Sequence, residues 1–143
     1  TSAYWGFLTL GRLFGIFISK KLSAMQLLGT SVIGALLGGV AFLLLTGSTA
    51  PVIVAIMMIG FFFGAIFPTT VSLTTAAFPD HQGKAVSLVS AMSSIGGLAL
   101  PWLGGVLLEK GGANVFSIYA VAIMALMVTL FTVIRRTSKR GNA

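Results

Sequence analysis

The chain has 143 residues, 57% of them hydrophobic and 8% charged, with a mean hydropathy of +1.06. A soluble domain carries about 25% charged residues, so a water-soluble fold is excluded and lipid is the expected solvent. The formal net charge of +7 comes in short basic runs between apolar stretches. That pattern sets membrane orientation and offers no phosphate-tracking face, which excludes nucleic acid as a partner. The absence of cysteine excludes disulfides and thiolate metal sites.

Five apolar segments follow one another, each near the roughly 20 residues needed to cross a hydrocarbon core. Their expected ranges are 2–19, 22–45, 52–78, 85–108 and 115–134, followed by a basic tail over 135–143 expected to be disordered. None shows the alternating polarity of a membrane strand, so the expected class is all-α: a polytopic helical bundle within residues 1–134. The chain starts at Thr1 inside an apolar stretch, with no basic region or cleavage site, so it reads as a piece of a longer protein rather than a signal peptide.

The first segment carries Gly11 and Gly15 at the GxxxG spacing that lets helices approach closely. A different face carries Trp5, Thr9 and Arg12. Arg12 lies eight residues before Lys20, about 12 Å into the membrane at 1.5 Å per residue. Such a cation costs at least roughly 2.5–3.5 kcal/mol unless it meets water or a partner. It serves either as an anchor or as a site or gate group. The second segment has Gly34, Gly38 and Gly39, which permit close packing on one side.

In the third segment Gly60, Gly64 and Pro68 precede a hydroxyl-rich stretch, and Phe63, Phe67, Thr70 and Thr74 share a face. Rings followed by hydroxyls suit a sugar-binding wall; the alternative is that each hydroxyl bonds back to a carbonyl one turn earlier. In the fourth segment Ser87, Ser90, Ser94, Gly97, Pro101 and Gly104 recur at spacings of three and four. They form one stripe of small residues suited to helix contact, static or sliding, with Pro101 bending the helix. The fifth segment has no Gly, Pro or charge over 115–134 and reads as lipid-facing.

In a five-pass arrangement Lys20, Lys21, Lys84, Arg135, Arg136, Lys139 and Arg140 fall on one side and Lys110 on the other. That side is expected to be cytoplasmic, with the C-terminus inside and the first helix starting outside, in a plasma or inner membrane. His81 beside Asp80 has no nucleophile or metal cluster near it in sequence, so no enzyme is expected, and no cofactor or metal.

Taken together, these residues resemble the C-terminal part of a major facilitator superfamily transporter, helices eight to twelve of twelve. They are most similar to its sodium-dependent glucose transporter-like and fucose permease-like sugar branch. The match is carried by Tyr4-Trp5-Gly6 leading to Gly11-Arg12, by Gly64-Ala65-Ile66-Phe67-Pro68-Thr69, and by Gly96-Gly97 with Pro101 and Gly104. Gly15, Ser19 and Lys20 match the superfamily's loop motif, but Ser19 stands for its Asp and Leu22 for its second Gly.

The resemblance implies that the first and fourth segments meet the other half of the protein. The third would line the cavity, while the second and fifth face lipid. It implies a secondary transporter, a symporter of a small polar solute, with a sugar as the expected substrate. Its partners would be the bilayer and an N-terminal half outside this chain. Trp5, Arg12, Phe67, Thr70 and Ser94 are the candidate cavity or gate residues. No acid lies inside a segment, so coupling to H⁺, to Na⁺ or to neither stays open. The competing reading is a self-contained five-helix scaffold or assembly protein.

Overall fold

A computed structural model describes residues 2–45, 47 and 49–141, with side chains through Thr137. Among the described residues all regular structure is helical. Helix α1 is Ser2–Ile18, closed by the amides of Ser19 on Gly15 O and of Lys21 and Leu22 on Ile18 O. Helix α2, Ala24–Leu44, starts two residues later than expected because Ser23 and Gln26 form a reciprocal capping box. Helix α3, Thr49–Ala77, starts three residues earlier than expected. Pro51 falls in its first turn, where a missing N–H costs no hydrogen bond. Phe78 ends it by preceding Pro79, which opens a 3₁₀ turn, Pro79–His81.

The remaining helical stretch, Gln82–Gly141, breaks at Gly112, where φ is 72° and ψ is −174°. That conformation is open essentially to glycine alone. We call the two arms α4 (82–111) and α5 (113–141). The loop expected over 109–114 thus contracts to a single non-helical residue. The tail, expected to be disordered, is helical through Gly141. Arg135, Arg136 and Thr137 are compatible with helix, and the Thr137 hydroxyl bonds to Val133 O at 2.6 Å.

Contact pairs give the helix directions. Against α3, residues Tyr4 and Gly15 of α1 meet Gly60 and Ala65, so the numbers rise together and the two helices run parallel. Gly34 and Gly38 of α2 meet Phe62 and Ile59, and Gly29 and Gly39 meet Phe131 and Met124, so α2 runs against both α3 and α5. Gly104 meets Phe116 and Tyr119, which folds α4 back on α5. Successive helices therefore alternate in direction. Lys20, Lys21, Lys84, Arg135 and Arg136 gather at one end of the bundle.

Among the described residues, three helices are long and apolar enough to cross a membrane: Ala24–Leu44, Thr49–Ala77 and the broken stretch Pro79–Thr137. At 1.5 Å per residue, the 59 residues of that last stretch far exceed a core of about 30 Å, and the break at Gly112 folds it in two. Ser2–Ile18 is apolar but shorter, at 17 residues.

The core lies between α2, α3 and α5, where Leu28, Val32 and Phe131 are buried against Ile66, Leu73 and Met127. Helix α2 packs closely on its Gly34, Gly38 and Gly39 side and keeps an apolar side open. Nine of its residues are buried, and Ile33, Leu37 and Leu44 form its exposed side. Helix α5 buries Ser117, Met124 and Phe131 at heptad spacing and exposes Ile118, Leu126 and Val133.

Candidate functional site

Helices α1 and α3 touch backbone to backbone. A methyl at Gly11 would strike Phe61 O, and one at Gly64 would strike Leu8 O. Small residues allow this approach, and lipid, being as apolar as Leu, offers no hydrophobic drive to replace it. The close contact fixes the register of α1 on α3. It leaves a cleft at the basic end of the bundle, where α1 ends, α2 starts and the second half of α3 passes.

The cleft has a volume of about 300 Å³ and is lined by Arg12, Gly15, Ile16 and Ser19, by Leu22, Ala24 and Leu27, and by Ala65, Pro68, Thr69 and Ser72. The α3 residues at 65, 68, 69 and 72 follow the 3–4 spacing of one helix face. Arg12, Ser19 and Ser72 are exposed to the cleft mouth, whereas Thr69 is buried. Among the described residues, no acidic side chain lines the cleft.

Of the five candidate cavity or gate residues, Arg12 alone lines this cleft. Trp5 is 60% exposed and packs edge-on to Tyr4, with ring centroids 5.6 Å apart. Phe67 is 43% exposed on a neighbouring face of α3. Thr70 is half-buried and Ser94 is exposed on α4. Thr69 and Ser72, rather than Thr70, share the cleft with Arg12. The signal for them was the position of Gly64: the face of α3 that carries Ala65, Pro68 and Thr69 borders the glycine contact.

Five hydroxyls of these helices are committed to carbonyls one turn earlier. Thr69 donates to Ala65 O at 2.6 Å, Thr70 to Ile66 O at 2.8 Å and Thr74 to Thr70 O at 2.8 Å. Ser94 donates to Ser90 O at 3.0 Å and Thr9 to Trp5 O at 3.0 Å. Each oxygen keeps lone pairs but spends its proton, so this wall accepts hydrogen bonds and donates few. Arg12 is the strong donor among the candidates.

The small-residue stripe of α4 is largely open. Gly104 is buried, Ser90 is half-buried, and Ser87, Ser94, Gly97 and Pro101 are exposed. An added methyl at Gly97 would meet nothing within 4 Å. At its far end α4 is pinned to α5 by the Tyr119 hydroxyl, which donates to Leu100 O at 2.9 Å.

The sequence is similar to known transporter-family proteins. It is 26% identical over 133 residues to major facilitator superfamily domain-containing protein 4A of Xenopus tropicalis, covering 93% of this chain and 26% of that protein. The human protein of the same name is 25% identical over 130 residues, covering 91% and 25%. A putative glucose/galactose transporter of Helicobacter pylori is 26% identical over 143 residues, covering 98% and 34%. The chain thus spans about a quarter to a third of the length of these relatives. No solved structure matches it. The family model described as Major Facilitator Superfamily matches residues 1–143, and the chain belongs to that superfamily.

Proposed function

We propose that the chain forms five crossings, helices eight to twelve, of a secondary transporter that moves a sugar by alternating access. The family match over residues 1–143 carries this reading. The putative glucose/galactose transporter among the relatives supports the sugar. Alternating helix directions suit five successive crossings, and the basic end is the cytoplasmic one by the excess of Lys and Arg.

In this reading the exposed rings of Trp5 and Phe67 offer faces to the apolar side of a sugar. The oxygens of Thr70 and Ser94, already spent as donors, accept from its hydroxyls. The open stripe of α4 meets the half of the protein outside this chain, and rocking of the two halves exposes the site to each side in turn.

The test is uptake of labelled hexoses into proteoliposomes holding the full-length protein. Glucose or galactose is taken up above empty vesicles, and Phe67→Ala lowers uptake about tenfold, the effect of losing about 1.4 kcal/mol of binding. Uptake no greater than in empty vesicles for any hexose refutes the sugar assignment.

A further inference from the structure

We propose that α4 bends between Gly97 and Pro101 while Tyr119 holds its outer arm to α5, so that the inner arm swings as a lever. This adds a motion inside the chain to the rocking proposed above and depends on no choice of solute.

Pro101 lies inside α4. It has no N–H, so the carbonyl of Gly97, one turn earlier, loses its helical partner, and the proline ring crowds that same carbonyl. Leu100 precedes the proline and is pushed away from helical torsions by the same ring. Gly96 and Gly97 fall in this turn and bring the widest backbone freedom to it. Sharp bends in helices fall at such proline and glycine positions. The weak turn is a property of the covalent chain, whatever other surfaces cover the helix.

A weak turn becomes a pivot when one side of it is held, and the contacts that hold the outer side are made within this chain. Gly104 is buried, with Phe116 and Tyr119 against it. Phe116 packs edge-on to Phe42 of α2, with ring centroids 6.1 Å apart. Gly112, at φ 72°, folds the arm back on α5. The Tyr119 hydroxyl donates to Leu100 O at 2.9 Å, so the held part ends one residue before Pro101. The outer arm, 101–111, thereby forms one body with α5. From Lys84 to Gly97 the inner arm runs about 20 Å at 1.5 Å per residue. A bend of about 20° at its root moves the Lys84 end by about 7 Å.

The test is double electron–electron resonance on the full-length protein in vesicles, with nitroxide pairs in a cysteine-free background. One pair, Lys84→Cys with Arg135→Cys, reports the inner arm against α5. The other, Trp102→Cys with Ile118→Cys, reports the outer arm. In the wild-type protein the inner pair spreads over about 7 Å more than the outer pair. Pro101→Ala restores the missing hydrogen bond and narrows the inner pair to the width of the outer one. Tyr119→Phe keeps the ring and removes only the hydroxyl, so the outer pair broadens; it serves where Pro101→Ala fails to fold. Equal narrow widths for both pairs, with and without hexose, overturn the proposal. An inner spread unchanged by Pro101→Ala also overturns it, and so does an outer pair left narrow by Tyr119→Phe. Distances are read without transport, so a protein that shows the lever yet moves no hexose refutes the sugar reading alone.

Discussion

At Gly64 an added methyl would meet Leu8 O, and the Arg12 amide nitrogen at 2.8 Å. Both obstacles are backbone and cannot rotate away, so the helices must separate. Overpacking of this kind costs typically about 1–3 kcal/mol. Gly64→Ala should therefore lower the melting temperature of the detergent-solubilised protein. Gly105→Ala, where the added methyl meets nothing within 4 Å, should leave it nearly unchanged. Equal melting temperatures for the two variants would remove the α1–α3 contact from the account. The GxxxG spacing of Gly11 and Gly15 was legible in the sequence, but their partner was not. Spacing along one helix says which face is small and carries no information about which helix covers it. For the same reason Arg12 was recognisable as costly, while its grouping with Ser19, Thr69 and Ser72 depended on a contact between segments distant in sequence.

Helix ends follow local chemistry, and here the sequence was informative where a capping or breaking residue spoke plainly. Ser23-x-x-Gln26 sets the start of α2 and Pro51 permits the early start of α3. Both signals are short-range and could have been read from the chain. Gly111-Gly112 was legible as an interruption, but not which glycine breaks the helix. Gly112 takes the break because its φ of 72° lies in a region closed to other residues, whereas Gly111 remains helical and lies against Val115. Gly112→Ala should destabilise the α4–α5 hairpin by roughly 1–3 kcal/mol, seen as faster proteolysis at this turn. Gly96→Ala, in open space on α4, should leave the proteolysis rate as it was. Similar digestion of the two would argue that the turn is not held by this conformation. The polarity of the tail suggests disorder, yet the tail is helical through Gly141, because a helix already running through Ile134 propagates without a new nucleus.

Across the molecule, α2 is enclosed by α3 and α5 while α4 leans on α5 through Gly104 and Tyr119 and is otherwise open. Substitution in the α4 stripe therefore separates two effects. Gly97→Leu has room within this chain, so these helices should tolerate it; on the proposed sugar-transport reading, it should reduce hexose uptake by the full-length protein severalfold at unchanged membrane abundance. Uptake equal to wild type would mean that the stripe meets no moving partner. The sequence alone determined that the chain is a helical membrane protein, where its apolar segments run, and which residue types carry small or polar faces. Those properties are set by local periodicity and by the cost of exposing backbone to lipid. Only the tertiary structure decided that α2 contributes to the core, that Arg12 opens onto a cleft lined by no acid among the described residues, and that the α4 stripe is largely uncovered within this chain. Each of these depends on which helix faces meet, and in lipid that choice is made by shape complementarity between distant segments, not by hydrophobicity.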